Sequence, residues 1–188
     1  MFSLAHQITN YPKSTLNLQT FTYTCTMASR IEILTQQLQL QPHPEGGFYK
    51  ETYRSAELLH SPDFGDSRSL LTNIYFLITS GNFSAFHRIA SDELWYYHEG
   101  ATCHIHVLHQ DGAYSEIRLG PNVELGECFQ AIVKAGDWFA SESAGDYTLV
   151  GCAVAPGFDF NDFEMADRNK LILAYPNQFD LINRLTRI

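Results

Sequence analysis

The chain has 188 residues, with 12 Lys+Arg against 21 Asp+Glu for a formal charge of −9, and 13% of its residues are aromatic. It is too apolar and aromatic to be disordered, and long enough for one domain with a full core. It is too poor in basic residues to favour nucleic acid or an anionic membrane as partner, and no apolar run approaches the roughly 20 residues that span a bilayer.

Residues 1–27 carry one basic side chain before Met27, Lys13, and no acid. The stretch has no apolar core of signal-peptide length. It reads as a detachable tail, leaving 28–188 as a single domain. Residues 29–40 place Ile31, Ile33, Leu34 and Leu38 at helical spacing behind Ser29, a plausible N-cap. His43-Pro44-Glu45-Gly46-Gly47 is a turn by composition, and 48–54 alternates as a strand does. Residues 56–67 hold Pro62, Gly65 and Asp66 and read as a loop. Strands come next at 71–79, 83–87, 93–98, 102–109, 114–119, 129–133, 137–141 and 147–154, punctuated by glycines, with a hairpin signal at Asp111-Gly112. Strands at this pitch indicate a sandwich or barrel. Residues 163–170 and 177–185 read as short helices. Cys25, Cys103, Cys128 and Cys152 form no C-x-x-C pair, so they read as buried thiols in a reducing, cytoplasmic setting.

The stretch Gly81-Asn82-Phe83-Ser84-Ala85-Phe86-His87, with Glu93 and Gly100 beyond it, resembles the first cupin motif. Gly81, His87, Glu93 and Gly100 fall on that motif, and its second His is replaced by Ile89. Val133-Lys134-Ala135-Gly136-Asp137-Trp138-Phe139 resembles the second motif, with Phe139 where metal-binding members have their last His. The stretch from His43 to Arg54, together with Ile74-Tyr75-Phe76-Leu77-Ile78, Ser84-Ala85-Phe86-His87-Arg88, Asp92-Glu93-Leu94-Trp95 and Pro156-Gly157-Phe158-Asp159-Phe160, is similar to the Cupin 5 group, a domain of unknown function. The resemblance implies an all-β fold: a double-stranded β-helix jelly roll, here with an N-terminal helix and short C-terminal helices. It also implies a homodimer and a ligand cavity in the barrel.

Strand parity sets the expected site. With Glu93 facing in, Trp95 and Tyr97 face in too. An aromatic cup of Phe83, Trp95, Tyr97, Trp138 and Phe139 is expected around His87 and Glu93, as in most small-molecule sites. With only His87 and Glu93 left of the cupin ligand set, a divalent metal is expected to be weak or absent, and no cofactor is implied. Glu93 could then orient His87 as a base, an arrangement similar to the metal-free deoxysugar epimerases, with Tyr49, Tyr53, Tyr75 or Tyr97 as acid. Glu51 shares a strand face with Tyr53, and Arg54 lies on the other. Arg54 or Arg88 could bind an anionic ligand or make a structural Arg–Glu pair. His104 and His106 share a face directed to solvent or a dimer partner. Asp159, Asp162, Glu164 and Asp167 read as a solvated run. The sequence thus supports a protein binding a small oxygenated, sugar-like or carboxylate ligand. That protein is a metal-independent epimerase or isomerase, a non-catalytic binder, or a metal-dependent cupin with a reduced ligand set.

Overall fold

The computed structural model describes residues 28–60, 64 and 67–187. The tail, its boundary at Met27 and Cys25 lie outside the described residues. Ser29 caps α1 (Arg30–Gln37) through a full capping box with Glu32, so two of the helix's orphan N–H groups are satisfied by neighbours three residues apart. Leu34 from α1 and Leu40 just after it pack on Leu77 and Leu149, which fixes the helix to the outer face of a sheet.

That sheet has six strands in the order β1 (Gln41–Pro42), β2 (Phe48–Arg54), β5 (Thr72–Thr79), β12 (Tyr147–Ala155), β7 (Asp92–Gly100), β10 (Gln130–Val133). Facing it is a five-stranded sheet ordered β13 (Glu164–Met165), β6 (Phe83–Arg88), β11 (Trp138–Ser143), β8 (Cys103–Leu108), β9 (Tyr114–Leu119). Every pairing between these strands is antiparallel, and the strands that neighbour each other in space are mostly far apart in sequence, as a jelly roll requires. Between the sheets, Phe76, Ile78, Trp95, Ile105, Val107, Phe139 and Val150 form the main core. Burying each of these large side chains stabilises the fold by roughly 2–3 kcal/mol. A second cluster lies outside the five-stranded sheet, where Leu171, Ile182 and Leu185 cover Phe86, Leu108 and Ala140. It is built from α2 (Arg168–Ala174) and α3 (Phe179–Arg184).

Three local expectations are corrected. The stretch read as a loop at 56–67 contains one strand, β3 (Leu58–His60), and ends on the first residue of another, β4 (Ser67–Ser69), with which β3 pairs. The helix expected at 163–170 begins only at Arg168, because Glu164 and Met165 pair with Arg88 and His87 as an edge strand. His106 is buried, not solvent-facing, held between Tyr114 and Glu142, while His104 is half-buried against Glu116. No described helix is long and apolar enough to cross a membrane.

Candidate functional site

A cavity of about 290 Å³ opens between β2, β5, β6, β7, β12 and the loop after β12. Its polar wall holds His43, Glu45, His87 and Glu93, and its apolar wall includes Phe76, Ile74, Ile89, Phe158 and Phe160. The turn before β2 delivers Glu45. Gly46 and Gly47 take φ of +115° and +72°, which places Gly46 against the carbonyl of Phe83 with no room for a side chain. Ala85 N donates to the Glu45 carbonyl at 2.9 Å, Arg187 donates to the same oxygen at 3.2 Å, and Ser84 Oγ donates to Glu45 Oε1 at 2.9 Å. A glutamate in a turn is thereby only 6% exposed.

Glu45 Oε2 lies 3.1 Å from His87 Nε2. The other imidazole nitrogen, Nδ1, lies 2.8 Å from the carbonyl of Ala85, which can only accept, so Nδ1 carries a proton. One further proton must sit between Nε2 and Oε2 for that contact to be favourable. Burial pushes His87 down to about 4 and Glu45 up to about 7, so in the neutral pair Glu45 donates to Nε2. Glu93, on β7, is pushed up to about 8 by burial and by the nearby Glu45. Burial also lowers His43, whose Nδ1 lies 3.5 Å from Glu45 Oε2. The floor is thus a cluster of ionisable groups held largely uncharged.

That charge state has a consequence for stability. Both carboxyls titrate near 4.5 when unperturbed but near 7 and 8 here. The folded chain binds more protons than the unfolded one through that window, so stability falls as pH rises. His87, lowered from 6.5 to about 4, opposes this below pH 6.5 and is silent above it. We expect unfolding free energy to drop by roughly 1–3 kcal/mol between pH 6.5 and 8. Urea unfolding across that range measures it, with Glu93→Gln flattening most of the slope. A wild-type profile that is flat or rising there means the carboxyls are not held neutral.

Sequence comparison matches residues 32–166 to the family described as Cupin superfamily (DUF985). The chain belongs to the Cupin 5 family. It is 30% identical over 149 residues to the uncharacterized protein YML079W of Saccharomyces cerevisiae, covering 71% of this chain and 74% of that one. A hypothetical protein from Leishmania major has a similar structure, with a TM-score of 0.79 and 36% identity over 84% of this chain and 98% of that one. Protein SO0799 from Shewanella oneidensis gives 0.77 and 36% over 86% and 99%.

The cupin metal set does not fit these residues. Ile89 lines the cavity as hydrocarbon, and the ring of Phe139 is buried 4.0 Å from that of His87. Among the described residues no three His, Cys, Asp or Glu side chains converge to hold an ion.

Of the site residues expected from sequence, this Cupin 5 chain brings His87, Glu93, Glu51 and Arg54 to the cavity and leaves the others outside it. Parity placed Trp95 on the inward face, but it lies in the core, edge-on to Phe76 and Phe139. Tyr97 spends its hydroxyl on the Gly100 carbonyl at 2.6 Å. Phe139 is core, and Phe83 stacks under Arg187. Arg88 and Trp138 stack on each other elsewhere, with Arg88 bound to Glu164 at 2.6 Å. The aromatic wall comes instead from Tyr49, Phe76, Phe158 and Phe160. Of the four candidate acid tyrosines only Tyr49 lines the cavity. Glu51 and Arg54, expected on opposite faces, share the cavity because a register shift between Glu51 and Tyr53 resets the alternation. They pair at 2.7 Å, and Arg54 also donates to the Phe158 carbonyl. The orienting partner of His87 is Glu45, not Glu93. Asp159 and Asp162 are not a free solvated run, since both pair with the buried Arg68.

Proposed function

We propose that the cavity binds a small oxygenated, anionic ligand and transfers a proton on it. The observation that carries this reading is the 3.1 Å contact between His87 Nε2 and Glu45 Oε2 in the cavity wall, a spacing that one proton shared between them makes favourable. Once the shared proton has left to solvent, the pair can take a proton from carbon next to a carbonyl, and Tyr49 in the same lining is the acid that would return one to the other face, the step of an epimerase or isomerase. Glu93, kept protonated in an apolar surrounding, is placed to donate a hydrogen bond to the developing enolate oxygen. Lys50 in the same lining offers positive charge to a carboxylate or phosphate, while the charge of Arg54 is met by Glu51. Incubating the full chain in deuterated water with 2-keto acids, keto-sugars and 4-keto sugar nucleotides should give deuterium at the carbon beside the carbonyl. Binding of these compounds without any exchange would reduce the site to a non-catalytic receptor.

The assembly we propose is a homodimer. Phe129 and Ile132 are exposed on and beside β10, which among the described residues is an edge strand paired only with β7, and Val123 and Leu125 nearby are exposed as well. An uncovered apolar edge is an association surface. Sedimentation should show a dimer, and Phe129→Glu should shift it to monomer. A wild-type monomer at micromolar concentration contradicts this. The unpaired thiols of Cys103, Cys128 and Cys152 support a reducing, cytoplasmic setting.

A further inference from the structure

Outside the cavity, three side chains meet where β8 ends, β9 begins and the chain turns into β11. Ser115 Oγ lies 2.8 Å from His109 Nε2, and His109 Nδ1 lies 2.8 Å from Asp137 Oδ2. None of the three lines the cavity. We propose that Ser115, His109 and Asp137 form a second reaction centre: a base-activated serine that accepts an acyl group from small activated esters.

The tautomer is set by the partners. A carboxylate only accepts, so the proton on His109 sits on Nδ1 and points at Asp137. Nε2 then presents its lone pair to Ser115, and the serine hydroxyl donates to it. That is the direction needed for a base to remove the proton as Oγ attacks. Geometry around the imidazole is fixed on several sides. Asp137 is buried, and its other oxygen accepts from Gln110 N at 3.3 Å. The His109 backbone is tied across the hairpin to Ala113 and Gly112, and Tyr175 Oη donates to its carbonyl at 3.0 Å. The working end is reachable, because Ser115 and His109 are only half-buried.

In the reaction, Ser115 Oγ bonds to the ester carbonyl carbon while its proton passes to His109 Nε2. Collapse of the tetrahedral species breaks the bond to the leaving oxygen, which takes that proton. Water, deprotonated by the same nitrogen, then releases the acid and regenerates the serine. Ser115 is embedded in the β8–β9 ladder opposite Val107, so its backbone is committed to the sheet. Substrates with good leaving groups, phenyl esters and not amides, are therefore the expected class.

The test uses the full chain with p-nitrophenyl acetate and with a fluorophosphonate probe, which bonds to Oγ with loss of fluoride. Mass mapping should find one adduct, on Ser115, and Ser115→Ala should lose it together with ester hydrolysis. Asp137→Asn should slow labelling by about 100-fold or more. His109→Gln, which alters a half-buried ring and leaves Asp137 in place, should show the same loss with an unchanged melting transition. No adduct on Ser115, or labelling of the His109 variant as fast as wild type, would overturn the proposal.

Discussion

Gly46→Ala is expected to destabilise the protein by roughly 3–5 kcal/mol, the largest effect of any single methyl group added at a described glycine. Two costs combine. Its φ of +115° is one that residues with a Cβ rarely adopt. A Cβ there would also sit 2.1 Å from the Phe83 carbonyl and from Arg187 Nη2, and the first of these is backbone that cannot swing aside. Gly81→Ala is the matched control: its φ is +75°, but nothing lies within 4 Å of the added carbon, so only the backbone term of about 1 kcal/mol remains. Urea unfolding of both variants gives the comparison. Equal losses would mean that the turn does not press against β6, and that Glu45 is not held where the site needs it.

Glu45→Gln should lower any exchange activity by about 100-fold to 10,000-fold while leaving the fold intact. The amide can still accept from Ser84 and donate toward His87 Nε2, so packing and hydrogen bonding survive. Its nitrogen holds no transferable proton at neutral pH. His87→Ala should give a loss of the same order, and the double variant little more, because the two residues act as one unit. Glu93→Gln separates the roles further. If Glu93 only donates a hydrogen bond, the amide replaces it and the loss stays within about tenfold, whereas Glu93→Leu should lose about 100-fold. Kinetics of deuterium uptake measures all five variants. A Glu45→Gln variant as active as wild type would remove Glu45 from the chemistry.

Much of the barrel was legible because its information is local. Alternation of side chains marked most strands, Ser29 announced the helix by a cap three residues long, and Asp111-Gly112 marked a hairpin. His87 and Glu93 were picked out by the resemblance to the first cupin motif, and parity then said only which neighbours would share their face. What escaped depended on distant chain. Glu45 stands in a Pro- and Gly-rich turn, where a carboxylate ordinarily faces water; it is buried because β6 and Arg187, 142 residues later, close over it. Arg54 joined Glu51 only through an irregularity at Thr52, and a one-residue shift reverses every face beyond it. Trp95 shows the opposite failure. Its direction was right, but parity says nothing about depth, and Phe139 and Phe76 fill the space between it and the cavity. Phe158 and Phe160 sit on the loop after β12, where no periodicity exists to read.

The shared proton of His87 and Glu45 is tested most directly by nitrogen NMR of the histidine side chains at pH 6, with His87→Ala used to assign the signals. His87 is expected as a neutral imidazole protonated on Nδ1, with Nε2 accepting a hydrogen bond, and its signals should respond when Glu45 titrates near pH 7. An imidazolium at pH 6, or a neutral ring protonated on Nε2, would contradict the proton arrangement on which the proposed chemistry stands.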